Sequence, residues 1–128
     1  PERSATQIEL AQTDCRTIGV NAPVRSSGDT KGTPGVTLRG PLGELTVPEG
    51  VIVADRHLHM TPAQAAAFGL ADGDRVQIRI DGIKPGIMGG VLVRASSKCA
   101  LDFHIDTDDG NAFLLRQGQL VTVLGKEE

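Results

Sequence analysis

The chain is expected to be mainly β, with a few short capped helices. Three features lead there. Sixteen Gly and seven Pro cut the 128 residues into short segments, a punctuation that suits strands and turns better than a helical bundle. Several segments alternate apolar and polar residues, as in Val76, Ile78 and Ile80 against Arg75, Gln77 and Arg79, the two-residue period of a half-buried strand. Helix-start signals recur only at Thr13-Asp14, Thr61-Pro62 and Thr107-Asp108, each followed by a glycine that can stop the helix.

The elements follow in order. Thr6 to Leu10 alternates, placing Thr6, Ile8 and Leu10 on one face and Gln7 and Glu9 on the other. Thr13-Asp14 opens a short helix that Gly19 ends. Arg25 to Gly35, RSSGDTKGTPG, has almost no apolar content and reads as a turn-rich loop. Val36 to Leu38 and Glu44 to Val47 flank Gly40-Pro41-Leu42-Gly43, a hairpin. Val51 to Ala54 is continuously apolar, as a buried strand is. At Thr61-Pro62-Ala63-Gln64 a hydroxyl N-cap, a first-turn Pro and an N3 Gln form a capping-box variant, and Gly69 fits its left-handed stop. Arg75 to Ile80 is a strand closed by the turn Asp81-Gly82, and Val91 to Val93, Ala100 to His104 and Leu120 to Leu124 are further strands. Thr107, Asp108 and Asp109 cap a helix through Leu115, with acidic residues matching its dipole and Gly118 as its end.

Glu9, His59 and His104 each end a strand, two to four residues before a helix-capping Thr. Strand-to-helix junctions often look this way, so the recurrence is also compatible with plain structure. It nevertheless sets three metal-ligating residue types at equivalent places. The sharpest feature is Asp55-Arg56-His57-Leu58-His59-Met60. Residues two apart in a strand share a face at about 6–7 Å, so both imidazoles can turn to one ion. On a helix they would diverge by about 200°. The remaining histidine, His104, also closes a strand, so all three can gather. Three neutral imidazoles with one open position are the ligand set of a catalytic zinc. Asp102, Asp106, Asp108 and Asp109 surround His104; one of them can hold an imidazole's tautomer, while Asp108 and Asp109 suit helix capping. Glu9 is read either as a further ligand or as a solvent-facing residue. Arg25-Ser26-Ser27-Gly28 resembles an anion-binding turn, or else a plain surface loop; it lacks the GxxxxGK[ST] order of a nucleotide loop.

Composition excludes other classes. A net charge of −3 from 16 acidic and 13 basic residues speaks against duplex nucleic-acid binding. Three Phe without Trp or Tyr leave no base-stacking platform. No apolar run approaches the roughly 20 residues of a membrane span, so neither nucleic acid nor membrane is an expected partner. Cys15 and Cys99 form no CxxC and are expected as free, buried thiols of a cytoplasmic protein. The chain starts Pro1-Glu2-Arg3 without Met, which places the expected natural start upstream.

At this point the residues resemble a known family. VIVADRHLHMTP, FGLADGDRVQIRI and VLVRASSKCALDFHIDTDDGNA resemble the C-terminal half of the PduL-type phosphate propanoyltransferases. TQIELAQTDCRTIGVNAPVRSSGDTKGTPGVTLRGP is similar to that family's central segment, and together these runs cover nearly all of residues 3–124. The resemblance implies two packed small β-barrel lobes, residues 1–51 belonging to the central-segment lobe and 52–128 to the C-terminal lobe. It implies a zinc on His57, His59 and His104, a second zinc with Glu9 among its ligands, and Arg3 as the catalytic arginine that binds phosphate. The family's NRHVHL-like N-terminal segment, which brings two further histidines to the second zinc, has no counterpart in this sequence. That second site is therefore expected to be incomplete unless another chain supplies a His-x-His. DTDDGNA stands where the family has DTDEANA.

The implied reaction interconverts acyl-CoA plus phosphate with acyl phosphate plus CoA, the acyl group being propionyl or similarly short. Arg25, Ser26, Ser27 and Gly28 are the expected contacts to CoA or phosphate. The family setting implies propanediol degradation and the lumen of a bacterial microcompartment beside the cytoplasm, although no amphipathic encapsulation peptide is present in the sequence. Oligomeric state stays open, a homo-oligomer included. Two rivals also stay open: a zinc-dependent ester or thioester hydrolase using water, and an inactive metal-binding fragment.

Overall fold

The structure, a computed structural model, describes residues 4–127. It divides into two compact units, one up to Asp55 and one from Arg56. Arg3 falls outside the described residues.

The first unit contains β1 (Ile8–Glu9), α1 (Gln12–Ile18), β2 (Val24–Arg25), β3 (Val36–Gly40), β4 (Gly43–Val47) and β5 (Val51–Ala54). β5 is the central strand, parallel to β1 on one side and to β2 on the other. A strand covered on both edges can be apolar throughout, which explains the run Val51-Ile52-Val53, all buried. Because β5 is the centre of this sheet, residues 52–55 belong to the first unit. Parallel neighbours of one strand need a crossover, and α1 supplies it between β1 and β2. Its Cys15 packs with Ala22, Val51 and Val53, against which Ile8 and Leu10 also lie. The helix is capped two residues earlier than Thr13 suggests: Ala11 is its N-cap, with no side-chain cap, and Gly19 ends it in the left-handed region. β3 and β4 form the expected hairpin, in register from Val36–Val47 to Gly40–Gly43.

The second unit contains β6 (His57–Met60), α2 (Pro62–Ala67), β7 (Arg75–Ile80), β8 (Gly86–Ala95), β9 (Asp102–His104), α3 (Thr107–Phe113) and β10 (Thr122–Lys126). Its five strands run in the order β10-β7-β8-β6-β9. β6 is parallel to β8 and antiparallel to β9. The core is Leu58, Met60, Ala65, Leu70, Val76, Ile78, Ile80, Met88, Val91 and Val93. Val76, Ile78 and Ile80 point inward as the alternation requires. α2 carries the full capping box: Thr61 Oγ1 accepts from Gln64 N–H, and Gln64 Oε1 accepts from Thr61 N–H at 2.9 Å.

Mainly β with short helices is thus the observed class. The ladders are open rather than closed into barrels: β9 and β10 end the larger sheet, and the first unit holds a three-stranded sheet and a hairpin. Two other expectations need correction. β8 extends from Gly86 instead of starting at Val91. Its glycines look like a break but form a bulge: Val76 faces Val91 and Ile78 faces Met88, so β8 carries one residue more than β7. The last helix is capped by Asp106, not Thr107, through Oδ1 accepting Asp109 N–H at 2.8 Å, and Leu114 ends it with φ 52° rather than Leu115 and Gly118. Among the described residues, no helix is long and apolar enough to cross a membrane.

Gly50 holds β1 to the first unit. Its carbonyl accepts Ile8 N–H at 2.9 Å and its N–H donates to Thr33 Oγ1 at 3.1 Å. With φ at +140° and a Cβ that would sit 2.4 Å from the Thr6 carbonyl oxygen, no side chain fits. Gly50→Ala is expected to cost more than about 2 kcal/mol, read as a lowered urea midpoint; an unchanged midpoint would contradict this packing.

Candidate functional site

Alternation along β6 divides its side chains. Leu58 and Met60 enter the core, so His57 and His59 take the opposite face. β9 runs antiparallel beside it with His104 opposite His57 and Asp102 opposite His59. Cross-strand neighbours on one face approach within about 5 Å, and the three rings meet: centroids are 4.7 Å apart for His57–His59, 5.0 Å for His57–His104 and 4.7 Å for His59–His104. All three pairs are edge-on, with interplanar angles of 81°, 62° and 68°. One ring nitrogen from each lies within 4.8 Å of the others. His57 is buried, His59 half-buried and His104 exposed, so the group opens to one side.

These residues fit a divalent ion. Three imidazole nitrogens within 4.8 Å of one another are the donor type and number that zinc takes from histidines. The protonation state agrees. Burial, then the neighbouring His57, His104 and Arg94, hold the His59 imidazole below its ordinary value, against an opposing pull from Asp102. A neutral ring keeps the lone pair that a metal needs.

His59 and His104 each have a nitrogen engaged. His59 Nδ1 lies 3.0 Å from Cys99 Sγ, and His104 Nε2 lies 3.1 Å from Asp102 Oδ2. Nε2 of His59 and Nδ1 of His104 are left for an ion. Next to His57, Arg56 reaches across to α3, with Nη2 2.8 Å from Asp109 Oδ1 and Nη1 3.3 Å from Gly89 O. Burial pushes the Asp109 carboxyl up, and Arg56 pulls against it. Asp109 therefore ties α3 to the start of β6 in place of the side-chain capping role expected for it.

Glu9 belongs to the first unit and the histidines to the second. It is exposed at the end of β1 within a polar knot. Gln7 Nε2 donates to Glu9 Oε1 at 2.5 Å and to Ser27 Oγ at 2.9 Å; Ser27 Oγ donates to Glu9 Oε1 at 3.1 Å. Gly28 N–H donates to Gln7 Oε1 at 2.6 Å. The Arg25 guanidinium pairs with Asp29 at 2.9 Å. The loop amide and hydroxyl expected to face an anion are thus turned toward Gln7 and Glu9.

Sequence reasoning placed the three histidines on strands that do bring them together. It missed Gln7 and Cys99. Gln7 shares a face with Glu9 two residues away, a signal the alternation contained. Cys99 lies forty residues from His59 on an irregular turn, where no periodicity exists, and it is half-buried beside an imidazole rather than packed as a small core residue.

The family model described as phosphate propanoyltransferase matches residues 1–116. Among curated relatives of that name, the one from Citrobacter koseri is 48% identical over 113 residues, 88% of this chain and 54% of the relative. That from Thermotoga maritima is 44% identical over 125 residues, 97% of this chain and 60% of the relative. That from Enterococcus faecalis is 47% identical over 118 residues, 92% of this chain and 56% of the relative. The chain spans a little over half the length of these relatives.

A lowered His59 pKa has a definite sign. The unfolded chain holds its proton up to about pH 6.5 while the folded chain releases it sooner. The metal-free protein should therefore gain stability as pH rises from the depressed value to about 6.5, with no further gain from this group above it. Urea unfolding of wild type against His59→Asn across that range isolates the contribution; equal pH slopes would contradict it.

Proposed function

Because this chain belongs to the phosphate propanoyltransferase family, we propose that it carries part of an active site converting acyl-CoA and phosphate into acyl phosphate and CoA, reversibly. The observation that carries the reading is the trio of ring nitrogens within 4.8 Å on His57, His59 and His104, in a chain matched by that family model over residues 1–116. The implied ion is zinc, and the substrates are a short acyl-CoA, propionyl or similar, and inorganic phosphate.

Zinc bound there would act as a Lewis acid toward a phosphate or carbonyl oxygen and, sulfur being a favoured ligand, toward the leaving thiolate. The chain's own residues do the rest. Three neutral imidazoles hold the ion without cancelling its charge, and the exposed side at His104 leaves an approach for an oxyanion. Arg3 is assigned to phosphate, whose oxygens a guanidinium can grip in pairs. Holding phosphate against the thioester carbonyl replaces a bimolecular encounter with a positioned one. The carbon–oxygen bond forms, the carbon–sulfur bond breaks, and CoA leaves as thiolate to be protonated.

Glu9 is assigned to the second zinc of the complete site. Gln7 and Ser27 engage Oε1, and Oε2 is assigned as the ligating atom. The remaining ligands of that ion are assigned to a His-x-His segment from outside this sequence, on an upstream stretch or another chain. Ser27 and Gly28 then serve Glu9, and substrate contact in this loop rests with Arg25 and Ser26, since an exposed pair such as Arg25–Asp29 exchanges partners at little cost. Closure of the open ladders into two barrels, and location in the cytoplasm or a microcompartment lumen, belong to the same family reading.

The test is CoA release and acyl-phosphate formation from propionyl-CoA, with zinc supplied and phosphate present or omitted. The expected result is release that requires phosphate and matches acyl phosphate one to one. Release without phosphate would indicate hydrolysis by water, and no turnover with zinc bound would indicate a metal-binding fragment. His57→Ala should lower zinc content by one ion per chain and reduce turnover by at least about a hundredfold; unchanged zinc content would remove the assignment.

A further inference from the structure

Cys99 has no role in the chemistry above, yet its position is well defined. The turn that carries it is fastened to β6: Ser96 N–H donates to Met60 O at 3.0 Å, one residue beyond His59. Cys99 N–H then closes the turn on Ser96 O at 3.0 Å, and Lys98 N–H donates to Ser96 Oγ at 3.3 Å. The strand that orients His59 therefore also fixes the sulfur that meets it, 3.0 Å from Nδ1. Cys15, by contrast, is fully buried among the apolar residues of the first unit.

A thiol in this place has two possible relations to a bound ion. As a ligand, its sulfur would share one shell with the three nitrogens, about 3.6 Å from each. The group of mutually close donor atoms among the described residues comprises His57, His59 and His104, without Cys99. As a partner behind the ring, the sulfur would instead engage the nitrogen that faces away from the ion. Asp102 stands in that relation to His104. Ligating histidines generally have their second nitrogen so occupied, which fixes both tautomer and ring angle.

We propose that Cys99 is a positioning residue of the metal site: its sulfur accepts the hydrogen bond of His59 Nδ1–H and so presents Nε2 to the ion. The inference rests on the metal reading of the three histidines and adds a residue to it. His59 thus has a sulfur behind it and His104 a carboxylate. Sulfur is a weak, uncharged acceptor when protonated, so the expected contribution is at the lower end of the usual range for such partners.

The experiment uses the full chain with Cys99→Ala and Cys99→Ser. In the metal-free protein, nitrogen-15 shifts of the His59 ring should report the Nδ1–H tautomer in wild type and a shift toward Nε2–H in Cys99→Ala. Cobalt(II) affinity, measured by competition with a chelator, should fall about tenfold in Cys99→Ala and largely return in Cys99→Ser, which keeps an acceptor there. Cobalt-loaded wild type should lack the thiolate-to-cobalt charge-transfer band. Unchanged tautomer and affinity in Cys99→Ala would overturn the proposal, as would that band, which would make Cys99 a ligand. A serine variant that restores neither property would also overturn it. Failure of wild type to take up cobalt would sink the metal reading itself, whereas the metal-free tautomer judges Cys99 alone.

Discussion

The two-residue period of β6, fixed by its burial, is the constraint on which the candidate site depends. Leu58 and Met60 are almost wholly buried, and each contributes about 1.5–3 kcal/mol by leaving water. A slip of one residue would expose both and drive His57 and His59 into an apolar core without partners. The hydrophobic pattern thus enforces the register that sets two imidazoles on the other face. β9 then needs only its ladder, with His104 opposite His57, to complete the trio. No side-chain contact among the histidines is needed to assemble them; backbone pairing does it before any ion binds.

That economy is why so much of the site was legible. HxH between apolar residues carries both the period and the chemistry, and His104, the remaining histidine, also closes a strand readable from the sequence. The capping box of α2, the inward face of β7 and the apolar β5 were readable because each obeys a local rule that burial reinforces. Elements governed by distant partners were not. The glycines of β8 look like an interruption until β7 lies alongside and turns them into a bulge. Asp106 caps α3 although Thr107 looks equally suitable, and no spacing rule separates two adjacent capping residues.

Cys99 and Gln7 show two kinds of illegibility. Gln7 sits in a pattern already read, on the face it shares with Glu9; only its purpose was hidden, since glutamine on an exposed strand face usually means solvent. Cys99 had no pattern. Its meeting with His59 follows from a turn anchored to Met60 O, a long-range backbone contact that no spacing rule encodes. Residues behind a ligand are recruited from wherever the fold passes, so they are the last part of a site that sequence alone discloses.

The two units preorganise their candidate ligands by different means, and this difference bears on how each would tolerate change. The histidines are held by a ladder whose strength comes from an apolar core, so their placement has the stability of the second unit as a whole. Glu9 ends a strand of two residues and is exposed. Its orientation rests on two side-chain hydrogen bonds, from Gln7 and Ser27, and on no ladder beyond the two residues of its strand. An exposed carboxylate on so short a strand can turn without breaking the sheet. A ladder cannot, so the three histidines keep their placement where Glu9 is able to adapt.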